Sequence, residues 1–515
     1  MSQSPDQVNF FTAASPDKDR TTLSDKQALM AKIAADPHRP AYHFLPPANW
    51  INDPNGSCQW NSQYHLFYQY HPGGAFRGPR HWGHAISPDM VHWTDLPIAL
   101  APGPDAIDKD SIYSGCMVIN QGVPTIVYTG ISGTRESPCI ATSQDGMVSW
   151  QKYPGNPVIA APPPGFEVSG FRDHCIWQEG ADWYQLIGAG IKGVGGAPLL
   201  YRSQDLYNWE YLHPLCVGVA EVTGQMWQCP DFFPLGDKYV LTIAPQPDRV
   251  VLYYTGTYDR EKHLFTPEHK GVFDYGGSYY APQSFLDEQG RRIIWGWLQE
   301  GRSVAAHTEA GWAGVMSCPR ILFLHPDGSL GVRPVPELES LRGEHRHRER
   351  LSLTGADMAQ APLFDQPVKG SCELIVELDP GDSARCGLRL GYSFNEETGI
   401  IYHADTGTLE IDRTASSRSQ EDLHDVQGGT CALSPEGTLK LHLLLDGSVL
   451  EIFVNERVSF TSRIYPSQTN RVNLDFRVQG GTARLLDLKL WELDSIWTDP
   501  TRELPEGSEK KLTYS

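Results

Sequence analysis

Apolar positions along this chain fall into short runs, and long helical periodicity is scarce. Tyr64–Tyr70, Thr125–Tyr128, Trp183–Ile187, Tyr239–Ile243 and Arg292–Trp297 combine β-branched and aromatic residues over strand length. From Leu351 the pattern becomes strict alternation. Cys372–Leu378, Leu439–Leu445, Val449–Val454 and Ala483–Leu490 each predict a strand with one buried face. Asp446-Gly447 and Asn455-Glu456 punctuate them. The exception to this β pattern is Ser24 to Ile33. There a capping-box pair, Ser24 and Gln27, precedes a small apolar face, and Pro37 ends the helix.

A weak repeat runs through the first β region. Ser87-Pro88-Asp89 leads to Trp93, Ser143-Gln144-Asp145 to Trp150, and Ser203-Gln204-Asp205 to Trp209, at intervals of roughly 55–60 residues. A fainter fourth copy surrounds Asp259. A period of this length in all-β sequence indicates propeller blades, and the region holds about five of them. The expected architecture is therefore all-β, a five-bladed β-propeller followed by a β-sandwich. The expected divisions are an N-terminal arm with a short helix (1–37), the propeller (38–334), a linker (335–350), the sandwich (351–497) and a polar tail (498–515). The linker reading rests on the charge run Glu344-His345-Arg346-His347-Arg348-Glu349-Arg350, whose alternating arginines repel a metal cation.

Composition narrows the function classes. A chain of 515 residues with formal net charge −20 is a poor partner for nucleic acid or an anionic membrane. No apolar run is long enough to span a bilayer. The N-terminus carries Asp6, Asp17, Asp19 and Asp25 in place of a signal-peptide core. Ten scattered cysteines without CxxC pairs fit buried thiols in a reducing compartment, so the expected location is cytoplasmic. The one glycosylation acceptor pattern, Asn55-Gly56-Ser57, falls inside the candidate site and agrees weakly.

Candidate chemistry centres on Trp50-Ile51-Asn52-Asp53-Pro54-Asn55-Gly56. Pro54 biases Asp53 towards an extended backbone, and Asn55-Gly56 is a tight-turn pair. Asp53 is thus expected at the end of an extended segment, before a sharp turn. Two further segments bear acid-type chemistry, Phe171-Arg172-Asp173-His174 and Met226-Trp227-Gln228-Cys229-Pro230-Asp231, each in a different predicted blade. Blades present one strand each to a central channel, so these groups are placed to converge. Carboxyl groups around an aromatic-lined pocket suit a sugar-cleaving or sugar-binding site.

At this point the chain resembles glycoside hydrolase family 32, the invertases, inulinases and related fructosyltransferases. The resemblance rests on ordered blocks: the Trp50–Gly56 motif, Leu66–Tyr70, Trp82-Gly83-His84, Tyr113-Ser114-Gly115, Arg172-Asp173, Cys229-Pro230-Asp231, Tyr280–Phe285, Gly311–Arg320 and Leu445–Phe453. It covers about Ala41 to Trp497 and implies the same two-domain fold. It also implies a retaining β-fructofuranosidase that forms a covalent fructosyl-enzyme on Asp53, with Asp173 stabilising the transition state. The implied fructosyl subsite is Asn52, Gln69, Trp82, Tyr113, Ser114, Arg172, Tyr280 and Trp297. Sucrose or short fructooligosaccharides are the implied substrates, and no metal or organic cofactor is expected. Oligomeric state stays open, with a homodimer through sandwich edges as one option.

Two positions depart from the family pattern. His174 stands where the family has proline; it either tunes Asp173 or touches substrate, or it marks a local backbone adjustment. Gln228 stands where the family has the acid/base glutamate. An amide cannot protonate a leaving group, and loss of that help typically costs on the order of 10²–10⁴ in rate. The residue is read either as an inactivating replacement in an otherwise whole site or as the mark of a natural relative that binds fructosides without cleaving them. Transfer to a sugar acceptor is a third possibility. Asp231 and Glu221 are weak candidates for a substitute acid.

Overall fold

The computed structural model describes residues 23–104 and 106–497. Five separate antiparallel sheets are followed by two larger ones. Blade I comprises Asn49–Trp60, Gln63–His71, His81–Ser87 and Thr94–Leu100; blade II begins at Ser111–Asn120, blade III at Val168–Glu179, blade IV at Met226–Leu235 and blade V at Tyr279–Leu286. The first strand of each blade packs against the first strand of the next, and the fifth returns to the first. The ring is closed by Trp312–Ala313, which pairs in parallel with Asn49–Trp50.

The five strands predicted from apolar runs are the second strands of the five blades. They lie inside their sheets and are almost wholly buried, which is why their sequences are apolar. The Ser-x-Asp repeat is the turn between the third and fourth strands. Asp89 Oδ1 accepts from Val91 N and His92 N at 2.9 and 2.8 Å, and Asp205 Oδ1 accepts from Tyr207 N and Asn208 N at 2.8 Å each. Trp93 and Trp209 then donate Nε1–H back to the carbonyls of Met90 and Leu206. In blade IV Asp259 makes the same turn without the tryptophan, accepting from Glu261 N and Lys262 N at 3.0 and 3.1 Å.

The sandwich stacks a six-stranded sheet on a second sheet, with Leu374, Val376, Leu388, Leu443 and Phe476 in the core between them. The linker expectation needs correction. Pro336–Leu341 is a short 3-10 helix, and Arg342–Gly355, which contains the charge run, is an edge strand paired with Gly481–Leu493. Its charged side chains face solvent or neighbouring strands; His347 Nε2 meets Asp487 Oδ1 at 2.6 Å and His345 stacks on Trp491. Edge position explains the charge, which blunts an otherwise open edge.

A buried polar network joins the two domains. Arg320 reaches Glu451 Oε2 at 2.5 Å through Nη2 and Asp274 Oδ2 at 3.2 Å through Nη1. His43 bridges Asp446 Oδ2 and Glu451 Oε1, each at 2.9 Å. The N-terminal helix spans Leu23–Ala34. The side chains of Ser24 and Gln27, the expected capping box, lie outside the described residues. Beyond the helix, Asp36 accepts from Trp312 Nε1 at 2.7 Å and from Arg302 Nη1 at 3.2 Å, which ties the arm to the closing strand.

Candidate active site

Most of the candidate residues lie on the inner strands, while Gln69 and Trp297 come from second strands and Trp82 from a third; all five inner strands are bulged. Register breaks fall at Ile51/Pro54, Tyr113/Gly115, Arg172/His174, Gln228/Asp231 and Tyr280/Gln283. A bulge adds a residue and turns its side chain away from the pleat. Five bulges at one level therefore aim side chains along the propeller axis. The backbone shows the cost: Asp173, Cys229 and Ala281 all adopt positive φ, at 64°, 45° and 49°. They line one small cavity together with Pro54, Ser114, His174, Asp231 and Gln283.

This arrangement corrects the expectation for the Trp50–Gly56 motif. Asp53 does not precede a turn; the whole motif lies within the strand Asn49–Trp60. Gly56 takes its positive φ of 51° inside the second bulge of that strand, where a Cβ would sit 3.1 Å from Met117 Cβ and 3.2 Å from Phe67. The turn chemistry of Asn55-Gly56 is used for a bulge.

Around Asp53 the predicted residues form one hydrogen-bonded chain. Ser114 Oγ donates to Asp53 Oδ2 at 2.6 Å, and Asn52 Nδ2 donates to Oδ1 at 3.1 Å. Asn52 also donates to Gln69 Oε1, and Gln69 Nε2 donates to Ser114 Oγ at 2.7 Å. Trp50 Nε1 donates to Asn52 Oδ1 at 3.0 Å, so the first tryptophan orients the amide that orients the acid. Asp53 remains half-buried.

Asp173 is buried, and Cys229 N donates to its Oδ2 at 3.1 Å. Burial pushes its carboxyl up to about 6; the Arg172 guanidinium opposes that rise and the charge of Asp53 adds to it. Cys229 Sγ lies between the two acids, 3.9 Å from Asp53 Oδ2 and 3.6 Å from Asp173 Oδ2.

The third cluster surrounds Gln228. Tyr280 OH and Gln246 Nε2 approach one end of its amide at 2.8 and 2.7 Å. Arg172 Nε and Nη2 approach the other end at 3.0 and 2.5 Å. Arg172 is itself held by Glu136, Nη1 to Oε1 at 2.6 Å.

Trp82 donates Nε1–H to the Tyr113 carbonyl at 3.1 Å, and the Arg80 guanidinium covers the Tyr113 ring at 4.7 Å. Trp297 sits beside Trp50, ring centroids 5.8 Å apart. Every predicted site residue thus lies at or beside the bulge ring. Asp231 faces the opposite way, accepting from Ser284 N at 2.8 Å behind the ring, and Glu221 is exposed on a short helix, Ala220–Thr223.

Sequence reasoning missed Gln246, Glu136 and Thr129 as parts of the site. They come from second and third strands, in no motif, and only the pairing of Met226 with Gln246 brings that amide beside Gln228. Cys229 belonged to a motif, but its thiol was given no position between the acids. His174 is buried away from the opening, between Thr129 and Gln185, and burial pulls its imidazole down to about 3. Among the described residues, the cluster with donor types for a metal is His43, Cys318 and Glu451. It belongs to the buried seam between the domains, where Cys318 N and Arg320 already occupy the Glu451 oxygens.

Comparison with known proteins agrees with this geometry. The model for the glycosyl hydrolases family 32 N-terminal domain matches residues 43–334, and that for the family's C-terminal domain matches residues 337–492. The raffinose invertase of Escherichia coli is 36% identical over 504 residues, covering 92% of this chain and 99% of that protein. The sucrose-6-phosphate hydrolase of Zymomonas mobilis is 34% identical over 473 residues, covering 86% of this chain and 90% of that one. A Glu-to-Gln variant of fructan 1-exohydrolase IIa from Cichorium intybus, solved in complex with 1-kestose, superposes with a TM-score of 0.79 at 27% identity, covering 89% of this chain and 98% of that one. With the two family models matching most of the chain and such relatives aligned over nearly its whole length, the chain belongs to glycosyl hydrolase family 32.

Proposed function

We propose that the site is that of a retaining β-fructofuranosidase acting on sucrose or short fructooligosaccharides, with Gln228 at the position of the acid/base group. In this reading Asp53 attacks the anomeric carbon of a fructofuranosyl unit. The bond to the leaving oxygen breaks and a covalent fructosyl-enzyme forms. Ser114 and Asn52 hold the nucleophile by two donors, and Asp173 stabilises the developing charge. The leaving oxygen then needs a proton, and the water that later releases fructose must lose one. Position 228 faces both events, but an amide can only donate or accept a hydrogen bond there. The chain as it stands therefore binds substrate and turns it over slowly.

The observation that carries this reading is the set of donors around position 228. Arg172 Nε, Arg172 Nη2, Tyr280 OH and Gln246 Nε2 all converge on it. A carboxylate accepts from all four at once. An amide meets both pairs in one orientation, with its oxygen towards Arg172 and its nitrogen towards Tyr280 OH and the Gln246 amide. Donors at both ends also suit a carboxylate at this position, and the neighbouring acids Asp53 and Asp173 are intact. The Cichorium variant bound to 1-kestose supports the companion idea that a Gln form of this fold holds a saccharide.

The test is Gln228→Glu. Release of fructose from sucrose or 1-kestose by the Glu form, at least about 10²-fold faster than by the present chain, is expected. No release by the Glu form sinks the reading. Gln228 itself favours a second reading, a fructoside-binding protein without turnover; saturable binding by calorimetry in both forms with no cleavage by either establishes it. Transfer is decided by the Glu form in concentrated sucrose, where free glucose in excess of free fructose marks a fructosyltransferase. A cytoplasmic location belongs to the same proposal, supported by ten free thiols.

A further inference from the structure

Three of the inner strands follow the bulged residue with proline: Asp53-Pro54, Cys229-Pro230 and Ala281-Pro282. In blade III the corresponding step is Asp173-His174. Proline there would leave a space that only backbone and neighbouring side chains could fill. The imidazole fills it and makes two hydrogen bonds. Gln185 Nε2 lies 3.0 Å from Nδ1, and Thr129 Oγ1 lies 3.0 Å from Nε2. His174, Gln185 and Thr129 are all buried.

The direction of these bonds follows from proton count. Thr129 has one hydroxyl proton, and its Oγ1 donates to the Ser114 carbonyl at 3.1 Å. The same Oγ1 accepts from the backbone N–H of Asp173 at 3.2 Å. The imidazole must then donate from Nε2 to Thr129 and accept at Nδ1 from Gln185. Thr129 is thus the junction between the two acids: Ser114 holds Asp53 Oδ2 on one side, and Asp173 hangs from Thr129 by its own main chain on the other. Asp173 also has the strained positive φ that such an anchor must maintain.

We propose that His174 is a positioning residue, which sets the distance between Asp53 and Asp173 by orienting the Thr129 hydroxyl that ties their strands together. The proposal rests on the fructosidase reading above. The hydrogen bonds of the His174 ring run to Thr129 and Gln185, so it acts on the acids through Thr129. Proline supplies the backbone shape at this step in other blades but no donor, so the blade III bulge gains from histidine a fixed hydroxyl orientation. Misplacement of reacting groups by about 1 Å typically costs on the order of 10²-fold in rate. Loosening this junction is accordingly a rate effect more than a binding effect.

The experiment starts from the full-length Gln228→Glu chain as parent, with sucrose and 1-kestose as substrates, assayed well below each variant's melting temperature. His174→Leu and, separately, Thr129→Val are expected to lower kcat at least tenfold while KM moves less than threefold. His174→Gln, whose amide nitrogen can reach the Nε2 position and donate to Thr129, is expected to recover kcat to within threefold of parent. If His174→Leu misfolds, Thr129→Val and His174→Gln carry the comparison. Parent-like kcat in Thr129→Val, or a His174→Gln variant that folds yet is as slow as His174→Leu, overturns the positioning role while leaving the fructosidase reading standing. An inactive parent removes the fructosidase reading, and the positioning role falls with it.

Discussion

Arg172 and Gln228 meet side chain to side chain across the gap between blades III and IV, with guanidinium Nε and Nη2 3.0 and 2.5 Å from the amide terminus. Both guanidinium nitrogens meet the same terminal atom, so a Gln228 oxygen turned towards Arg172 accepts from both. In the Gln228→Glu form, Arg172→Lys is expected to lower kcat/KM by 10–100-fold, the equivalent of one hydrogen bond to a charged group at about 1.5–3 kcal/mol. Steady-state kinetics on sucrose check it. An unchanged kcat/KM would show that Arg172 serves only its ion pair with Glu136.

Asp173 should make the protein less stable as pH rises. Its carboxyl is held up to about 6 by burial against an ordinary value of 3.8. Between those values the folded chain binds a proton that the unfolded chain has lost, so unfolding free energy falls as pH increases through that window. The difference corresponds to ~3 kcal/mol. Asp173→Asn is expected to flatten this part of the stability profile and to be the more stable protein at pH 7. Urea denaturation at pH 4, 5, 6 and 7 decides the matter; parallel profiles for the two proteins would refute it.

The domain seam has the opposite sign. Burial alone would raise Glu451, yet Arg320, His43 and the backbone N–H of Cys318 hold its carboxyl down to about 2. Its contribution is complete above the ordinary value of 4.5 and is lost as pH falls from there towards 2. Glu451→Gln leaves Arg320 short of its partner and is expected to cost ~3–5 kcal/mol at neutral pH. Its unfolding free energy should also fall less steeply than the parent's on acidification below 4.5. Calorimetry across that range measures both effects.

Gly115 is the point where the blade II bulge passes closest to its neighbour. A Cβ there would lie 1.9 Å from the Val127 carbonyl oxygen, and the Gly115 carbonyl accepts from Gln283 Nε2 of blade V at 2.8 Å. Gly115→Ala is expected to destabilise by at least ~3 kcal/mol, because the backbone itself must move. A melting temperature within a degree or two of the parent's would show that the bulge is more pliable than its packing indicates.

The second strands of the blades were legible because each is buried on both faces, so Leu66, Ile126, Leu186, Leu241 and Ile293 had to be apolar whatever lay beside them. The Asp89, Asp145 and Asp205 turns were legible because an aspartate caps its own local backbone, a matter of a few residues. In the sandwich, alternation revealed Cys372–Leu378 and its neighbours for the same local reason. The charge run at 344–350 misled, since an edge strand and a solvated linker share a composition and differ only in whether a partner such as Gly481–Leu493 is present.

The inner strands are the reverse case. Their sequences, Asn52-Asp53-Pro54-Asn55-Gly56 and Gln228-Cys229-Pro230-Asp231 among them, carry the residues of turns, and nothing local says that they are strands. The sequence by itself determined which blocks bear the acid chemistry, because those blocks are unusual enough to be read in isolation, but it did not single out Gln246, Glu136 or Thr129, which lie in no motif. Only the tertiary structure decided how they act together. A bulged strand rich in Pro, Asn and Asp is stable only where other blades accept and donate its hydrogen bonds, as Ser114 does for Asp53, Thr129 for Asp173 and Arg172 for Gln228. Those partners stand dozens of residues away, and closure of the ring brings them within reach.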